Sequence, residues 1–273
     1  MMRVAFQGER GAYSEEAAVT LFDRADVIPC ASLRQVFESV AAGEAEAGVV
    51  PVENSQAGSI NETYDLLLTH TLYITGELNL RIRHCLLALP GQSVEDLRRV
   101  YSHPQALAQT EEFIRARGLE PFAMYDTAGS AKIVAEQRLR GVGAIAGRQA
   151  ARIYGLEILA EGIETNPNNY TKFLSLSRAP APRGAASKTS IVFTTQNIPG
   201  ALHRALGAFA ARSLNLTKLE SRPRREVPWE YVFYVDFEGH QEEPDAGAAI
   251  LDLRAVCTFV RVLGSYPRAA GRA

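Results

Sequence analysis

The sequence predicts an α/β chain in two parts: a two-lobed domain over residues 1–178 and a βαββαβ, ferredoxin-like unit over residues 188–273. Three observations carry this expectation. At 273 residues the chain exceeds a typical single core. Short apolar strands alternate with amphipathic helices through the first part, the mark of a largely parallel sheet covered by helices. Residues 179–187 (Ala179-Pro180-Ala181-Pro182-Arg183-Gly184-Ala185-Ala186-Ser187) read as a linker, with Pro for stiffness and no apolar period.

Residues 3–7 alternate as a strand and run into Gly8-Glu9-Arg10-Gly11-Ala12-Tyr13, with a helix expected from Ser14. Glu15 and Glu16 in its first turn suit the helix dipole. The next strand is Asp26 to Cys30. Ser32-Leu33-Arg34-Gln35 then reads as a capping box, and Leu33, Val36, Phe37 and Val40 share one helix face. A third strand, Ala47 to Val50, ends at Pro51. Residues 77–89 form a long extended run that carries the chain into a second lobe. There the strands are Val100 to Ser102, Phe122 to Tyr125 and Val142 to Ala146, each followed by a helix, from Pro104, Ala128 and Gly147. Residues near 156–178 are expected to return to the first lobe. Beyond the linker come a strand (188–195), a helix (199–211), two strands (214–223, 230–238), a helix (about 245–256) and a strand (258–264). The tail from Ala269 to Ala273 is expected to fray.

Lys plus Arg number 29 against 31 for Asp plus Glu, so no net field favours nucleic acid or an anionic membrane. No apolar run approaches the roughly 20 residues of a bilayer span, and the first residues lack a signal-peptide core. Cys30, Cys85 and Cys257 are odd in number and far apart, which fits reduced thiols and a cytoplasmic location.

The loops at the carboxyl ends of the strands are rich in Gly, Ser, Asn and Thr: Gly8 to Ser14, Glu53 to Ile60, Ser102-His103-Pro104-Gln105, and Asp126 to Ala131. Ligands of open α/β sheets bind at these ends, and helix starts there offer N–H groups to anions. Gly8-Glu9-Arg10-Gly11 lacks the first glycine of a dinucleotide fingerprint. There is no Gly-Lys-Ser/Thr phosphate loop, no zinc spacing and no Gly-x-Ser-x-Gly elbow. A polar, hydroxyl-rich and metal-free site is the expectation. Gln105 and Gln109, four apart, share a helix face.

Asn166-Pro167-Asn168-Asn169-Tyr170-Thr171-Lys172-Phe173 decides among the remaining chemistries. Taken with Pro51 to Ser55, Gly58-Ser59-Ile60, Ser102 to Gln109 and Asp126 to Ala131, it closely resembles the prephenate dehydratases. Gly200-Ala201-Leu202 and Glu220-Ser221-Arg222-Pro223 resemble the phenylalanine-binding motifs of that family's ACT regulatory domain. One departure stands out: the family reads Thr-Arg-Phe where this chain has Thr171-Lys172-Phe173. The two-lobed plan is also similar to periplasmic solute-binding proteins.

The resemblance implies conversion of prephenate to phenylpyruvate with loss of carbon dioxide and water, feedback-regulated by L-phenylalanine. Aromatisation supplies the driving force, so no cofactor is expected. Thr171 is implied as donor to the departing hydroxyl, with Lys172, Glu53, Asn54 and Gln109 completing the catalytic set. A Thr hydroxyl is too weak an acid to release a full proton, so polarisation is the expected mode. Ser55, Ser59, Ser102, Gln105, Thr127, Ser130 and Asn169 are candidates for positioning the substrate, with Phe173 lining the site. Asn197, Gly200, Ala201, Leu202, Glu220, Ser221, Arg222 and Pro223 are the implied phenylalanine site, in a homodimer or homotetramer. An arogenate dehydratase and a non-catalytic amino-acid sensor remain the alternatives.

Overall fold

A computed structural model describes residues 1–184, 186–224, 227 and 229–269. Ala185 of the expected linker and residues 270–273 of the expected fraying tail lie outside the described residues. The chain divides into two compact units, Met1–Leu66 with Leu78–Leu174, and Leu67–Glu77 with Ser175 onward.

The first lobe begins β1 (Arg3–Gln7), α1 (Tyr13–Leu21), β2 (Asp26–Cys30), α2 (Leu33–Ala42), β3 (Ala47–Asn54), β4 (Gly58–Ser59) and α3 (Asn61–Thr69). β5 (Tyr73–Arg81) leads to the second lobe. That lobe comprises β6 (Cys85–Ala88), β7 (Arg99–Ser102), α4 (Pro104–Gln109), α5 (Glu111–Ala116), β8 (Glu120–Ala123), α6 (Thr127–Glu136), β9 (Val142–Ala146), α7 (Arg148–Tyr154) and β10 (Glu157–Glu161). β11 (Tyr170–Ser177) follows.

The first sheet has the order β2-β1-β3-β11-β5 with β4 on β3, and β1 runs parallel to both β2 and β3. The second has the order β10-β6-β9-β7-β8. Its β7, β8 and β9 are parallel, whereas β6 and β10 pair antiparallel. The expected return to the first lobe is therefore split: β10 stays with the second sheet, and only β11 goes back, beside β3. Val4, Phe6 and Val49 share one buried cluster with Leu87, Ala128 and Ala146, so one core underlies both sheets.

Three local expectations shift. β3 runs through Pro51 to Asn54, because the ladder with β4 extends it. The extended run 77–89 breaks at residues 82–84, between β5 and β6. Ser32 Oγ does accept from Gln35 N at 3.2 Å, but Gln35 Oε1 reaches the Ala31 N–H instead of closing the box on Ser32.

The second unit holds β12 (Ser187–Thr194), α8 (Ala201–Ala210), β13 (Leu216–Pro223), β14 (Tyr231–Glu238), α9 (Pro244–Val256) and β15 (Phe259–Pro267). The order β13-β14-β12-β15 is that of a ferredoxin-like sheet, and its described pairings are antiparallel. Ile191, Phe193, Val235 and Phe237 pack under Phe209 and Leu253 of the two helices. The segment 67–77, read from sequence with the first domain, groups here for a physical reason. Glu77 is buried and receives the Lys188 ammonium at 2.6 Å, while Lys188 also meets Asp236 at 3.0 Å.

Candidate active site

A cleft of about 210 Å³ opens in the first unit, at the ends of β1 and β3 and the start of β11. Gln7, Tyr13 and Ser14 come from the β1–α1 junction, Asn54 from the end of β3, and Thr171 and Phe173 from β11. The second lobe contributes His103, Gln105 and Gln109 before and along α4, and Tyr125, Asp126 and Thr127 at the start of α6. Ile82 and His84, in the break between β5 and β6, complete the wall. The β1–α1 turn needs its glycines: Gly11 has φ +88°, and a Cβ there would stand 2.7 Å from Ala150 Cα.

Buried amides organise the floor, and their polarity follows from the backbone. Asn54 Oδ1 accepts from the N–H groups of Gln56 and Ala57, each at 3.0 Å. A peptide N–H can only donate, so Asn54 Nδ2 must face inward. It donates to Asn169 Oδ1 at 2.8 Å, Thr171 Oγ1 at 3.0 Å and the Tyr170 carbonyl at 3.2 Å. With its oxygen thus occupied, Asn169 donates through Nδ2 to Gln109 Oε1 at 3.0 Å. Gln109 Nε2 then points to Asn54 Oδ1 at 3.4 Å, closing the ring.

The same logic sets His84. Its Nε2 lies 2.9 Å from Gln109 Oε1, an acceptor, so Nε2 carries the proton. Its Nδ1 faces the Tyr13 hydroxyl at 3.0 Å, and that hydroxyl is 2.8 Å from the Arg83 carbonyl. Burial pushes the His84 pKa below the usual histidine value and that of Tyr13 well above the usual tyrosine value, so both are neutral.

Thr171 is therefore an acceptor toward Asn54, and its own hydroxyl proton has no partner among the described residues. That hydrogen is left to donate into the cleft. The main-chain N–H groups of Tyr13 and Ser14, at the start of α1, likewise have no partner among the described residues, and Ser14 and Tyr13 line the cleft. Anionic groups of a ligand are matched by such a helix start.

The expected residues are distributed unevenly. Asn54, Gln105, Gln109, Thr127, Thr171 and Phe173 line the cleft, and Asn169 stands directly behind them. Lys172 does not line it. Alternation along β11 puts Thr171 and Phe173 on one face and Lys172 on the other, where its Nζ lies 4.0 Å from Glu53 Oε2. Expecting Lys172 and Glu53 at the substrate thus conflicts with strand geometry. Ser102 is fully buried and donates to the Ile145 carbonyl at 2.6 Å. Ser130, also fully buried, donates to the Asp126 carbonyl at 2.7 Å. Ser55 ties its loop to the Asn168 carbonyl and Tyr170 N–H, and Ser59 sits in the β3–β4 ladder. These four serines shape the walls and do not face the cavity.

Tyr13, His84 and Asp126 were not singled out from sequence. His84 sits in a run that looks continuously extended, and only the polar break Arg83-His84 before an apolar strand marks it. Asp126 reads as an ordinary helix cap, which it is: Oδ1 accepts from Gly129 N at 2.7 Å.

In the second unit, a hollow of about 120 Å³ is lined by Asn197, Ile198, Ala201 and Leu202 at the start of α8, with Tyr231 and Phe233 of β14. Gly200 caps α8 at φ +77°. Ser221 and Pro223 pair with Phe233 and Tyr231, so they share the sheet face of this hollow, while Glu220 and Arg222 project from the opposite face. Residues 220–223 do not line the hollow within one chain.

Residues 4–181 match the family model described as prephenate dehydratase, and residues 189–255 match the ACT domain model. The chain belongs to the prephenate dehydratase family. It is a dehydratase of the lyase class with a C-terminal ACT domain. The Arabidopsis thaliana protein named arogenate dehydratase/prephenate dehydratase 2, chloroplastic, is 48% identical over 97% of this chain and 73% of its own length. A solved structure of prephenate dehydratase from Arthrobacter aurescens in complex with L-Phe is 33% identical, with a TM-score of 0.90, over 97% of this chain and 90% of the other. A structure titled as GqqA, a novel type of quorum quenching acylase, is 38% identical, with a TM-score of 0.91, over 98% of both chains. The cytoplasmic expectation is overturned: relatives at 43–48% identity are named as chloroplastic proteins. Free, distant thiols suit any reducing compartment, so the cysteines never discriminated between the two.

Proposed function

We propose that the cleft takes prephenate and its amino-acid analogue arogenate, and that Thr171 is its hydrogen-bond donor to the departing C4 hydroxyl. The observation that carries this is the fixed polarity of the amide ring, which makes Thr171 Oγ an acceptor within the protein and so a donor to the ligand. The C1 carboxylate leaves as carbon dioxide, its bonding electrons enter the ring, and the C4–oxygen bond breaks as the ring becomes aromatic. The hydroxyl departs with a hydrogen bond from Thr171 and takes its proton from water. A donor placed where charge develops acts most strongly in a partly dry cleft. The ring's para geometry suits a substrate spanning the cleft, with C4 toward β11 and the C1 groups toward the starts of α1 and α6.

The acylase name of one similar protein invites an acyl-transfer reading with Thr171 as nucleophile. Such a nucleophile needs an adjacent base. The groups bonded to Thr171 Oγ offer only an amide N–H, so the geometry favours elimination. Assays of the full chain with prephenate and arogenate, following phenylpyruvate and phenylalanine separately, test the proposal. Absence of both products would end it.

Phenylalanine as the regulatory ligand is supported by the ACT match and by the L-Phe complex of a relative. The aromatic hollow beside α8 is its candidate seat, Asn197, Gly200, Ala201 and Leu202 forming or flanking that wall. Edge strand β13, carrying Glu220, Ser221, Arg222 and Pro223, is the candidate surface for a second copy, in a homodimer or homotetramer. Calorimetry with phenylalanine and light scattering of the full chain test both parts.

A further inference from the structure

The cleft carries one formal charge on its wall, and it is negative. Asp126 is the one carboxylate among the described lining residues, and no lysine or arginine lines the cavity. Of the two lining histidines, His84 is held neutral by burial, and His103 Nδ1 accepts from Gln105 N at 3.2 Å. Lys132, on α6, is engaged elsewhere. Lys132 Nζ lies 3.1 Å from Glu9 Oε2, and Tyr125 donates to the other oxygen of Glu9 at 3.2 Å. Asp126 is left with peptide N–H groups: Gly129 on Oδ1, and Ala128 as a second main-chain partner. Glycine at position 8 keeps the approach to Oδ2 open, since a Cβ there would stand 3.1 Å from that oxygen.

A lone carboxylate is an odd fixture for a site that takes a dianion. The two proposed substrates differ at one group, a keto oxygen in prephenate and an ammonium in arogenate. Resting on the reading of the cleft given above, we propose that Asp126 is the specificity-determining residue, pairing with the substrate's α-ammonium and so favouring arogenate over prephenate. Its position supports this. Asp126 stands at the start of α6 on the second lobe, whereas Thr171 stands on β11 of the first, and the alanyl side chain is para to the hydroxyl that Thr171 serves. Burial raises the Asp126 pKa, main-chain donors oppose that rise, and a bound ammonium would hold the group ionised.

The test is Asp126→Asn, which removes the charge and keeps a side chain that caps helices equally well. Asp126→Ser serves as the second variant, with circular dichroism melting to verify both folds. kcat/KM is measured for arogenate and prephenate on wild type and variants. The arogenate-to-prephenate ratio should fall roughly tenfold to a hundredfold, the range of a lost charged hydrogen bond, through a rise in KM for arogenate and a fall in KM for prephenate. An unchanged ratio, or a parallel loss on both substrates, would overturn the specificity role while leaving the dehydratase reading intact. A wild-type chain that turns over neither substrate would overturn both.

Discussion

Thr171→Val isolates the hydroxyl at the centre of the amide ring. Val matches Thr in shape, so the buried volume at this position, only 8% exposed, is preserved. The variant also leaves no orphaned donor behind. Asn54 Nδ2 carries two hydrogens and faces three acceptors, and removing Thr171 Oγ leaves Asn169 Oδ1 at 2.8 Å and the Tyr170 carbonyl at 3.2 Å. The penalty of about 1–3 kcal/mol for a stranded buried donor is therefore avoided, and the loss of folding stability should stay near 1 kcal/mol. Catalysis should suffer far more. Deleting one oriented donor to a developing charge costs about 10²–10³ in kcat, or roughly 2.7–4 kcal/mol. KM should change little, because the bond strengthens only as the hydroxyl leaves. Thr171→Ser should retain most of the turnover. Steady-state kinetics with thermal melts of the three proteins separate the two quantities. Near wild-type kcat in Thr171→Val would refute the reasoning, and so would a loss of turnover explained by unfolding.

Lys172→Ala should leave kcat/KM within about threefold, since its partner Glu53 stands on the far side of β11 and half-exposed ion pairs contribute about 0–1 kcal/mol; a large rise in KM would return Lys172 to the substrate. His84 gives a pH signature. Its folded pKa lies below the unfolded value near 6.5, so the unfolded chain gains a proton first as pH falls through that value, and the fold loses stability there. Melting temperatures at pH about 7.5 and about 5.5 should therefore drop less in His84→Phe than in wild type. Lys188→Met strands the carboxylates of Glu77 and Asp236, and a denaturant titration should show a loss of about 3–5 kcal/mol.

The fold was legible because each element announces itself locally. Asp26–Cys30 and Val142–Ala146 are bounded by turn residues, and the βαββαβ order of the second unit follows from strand and helix periods alone. What escaped was long-range pairing. Nothing local says that β10 stays with β6 while β11 crosses to β3, or that Glu77 meets a lysine more than a hundred residues away. The site divides along the same line. Thr171, Asn54 and Gln109 were picked out by motifs and line the cleft, whereas Lys172, which strand alternation puts opposite Thr171, does not. Ser102 and Ser130 carry hydroxyls of the right type, but those hydroxyls satisfy backbone carbonyls inside the walls. His84 and Asp126 became visible only once the chain break and the cleft charge could be seen together.

We propose that this cleft removes carbon dioxide and a hydroxyl from a cyclohexadienyl dicarboxylate through a donor on β11. Its most direct test is product formation by the purified full chain, with prephenate and arogenate supplied separately and Thr171→Val run alongside. Phenylpyruvate is expected from the first substrate and phenylalanine from the second, each slowed about 10²–10³-fold by the substitution. Equal rates in wild type and variant, or no aromatic product from either substrate, would contradict it.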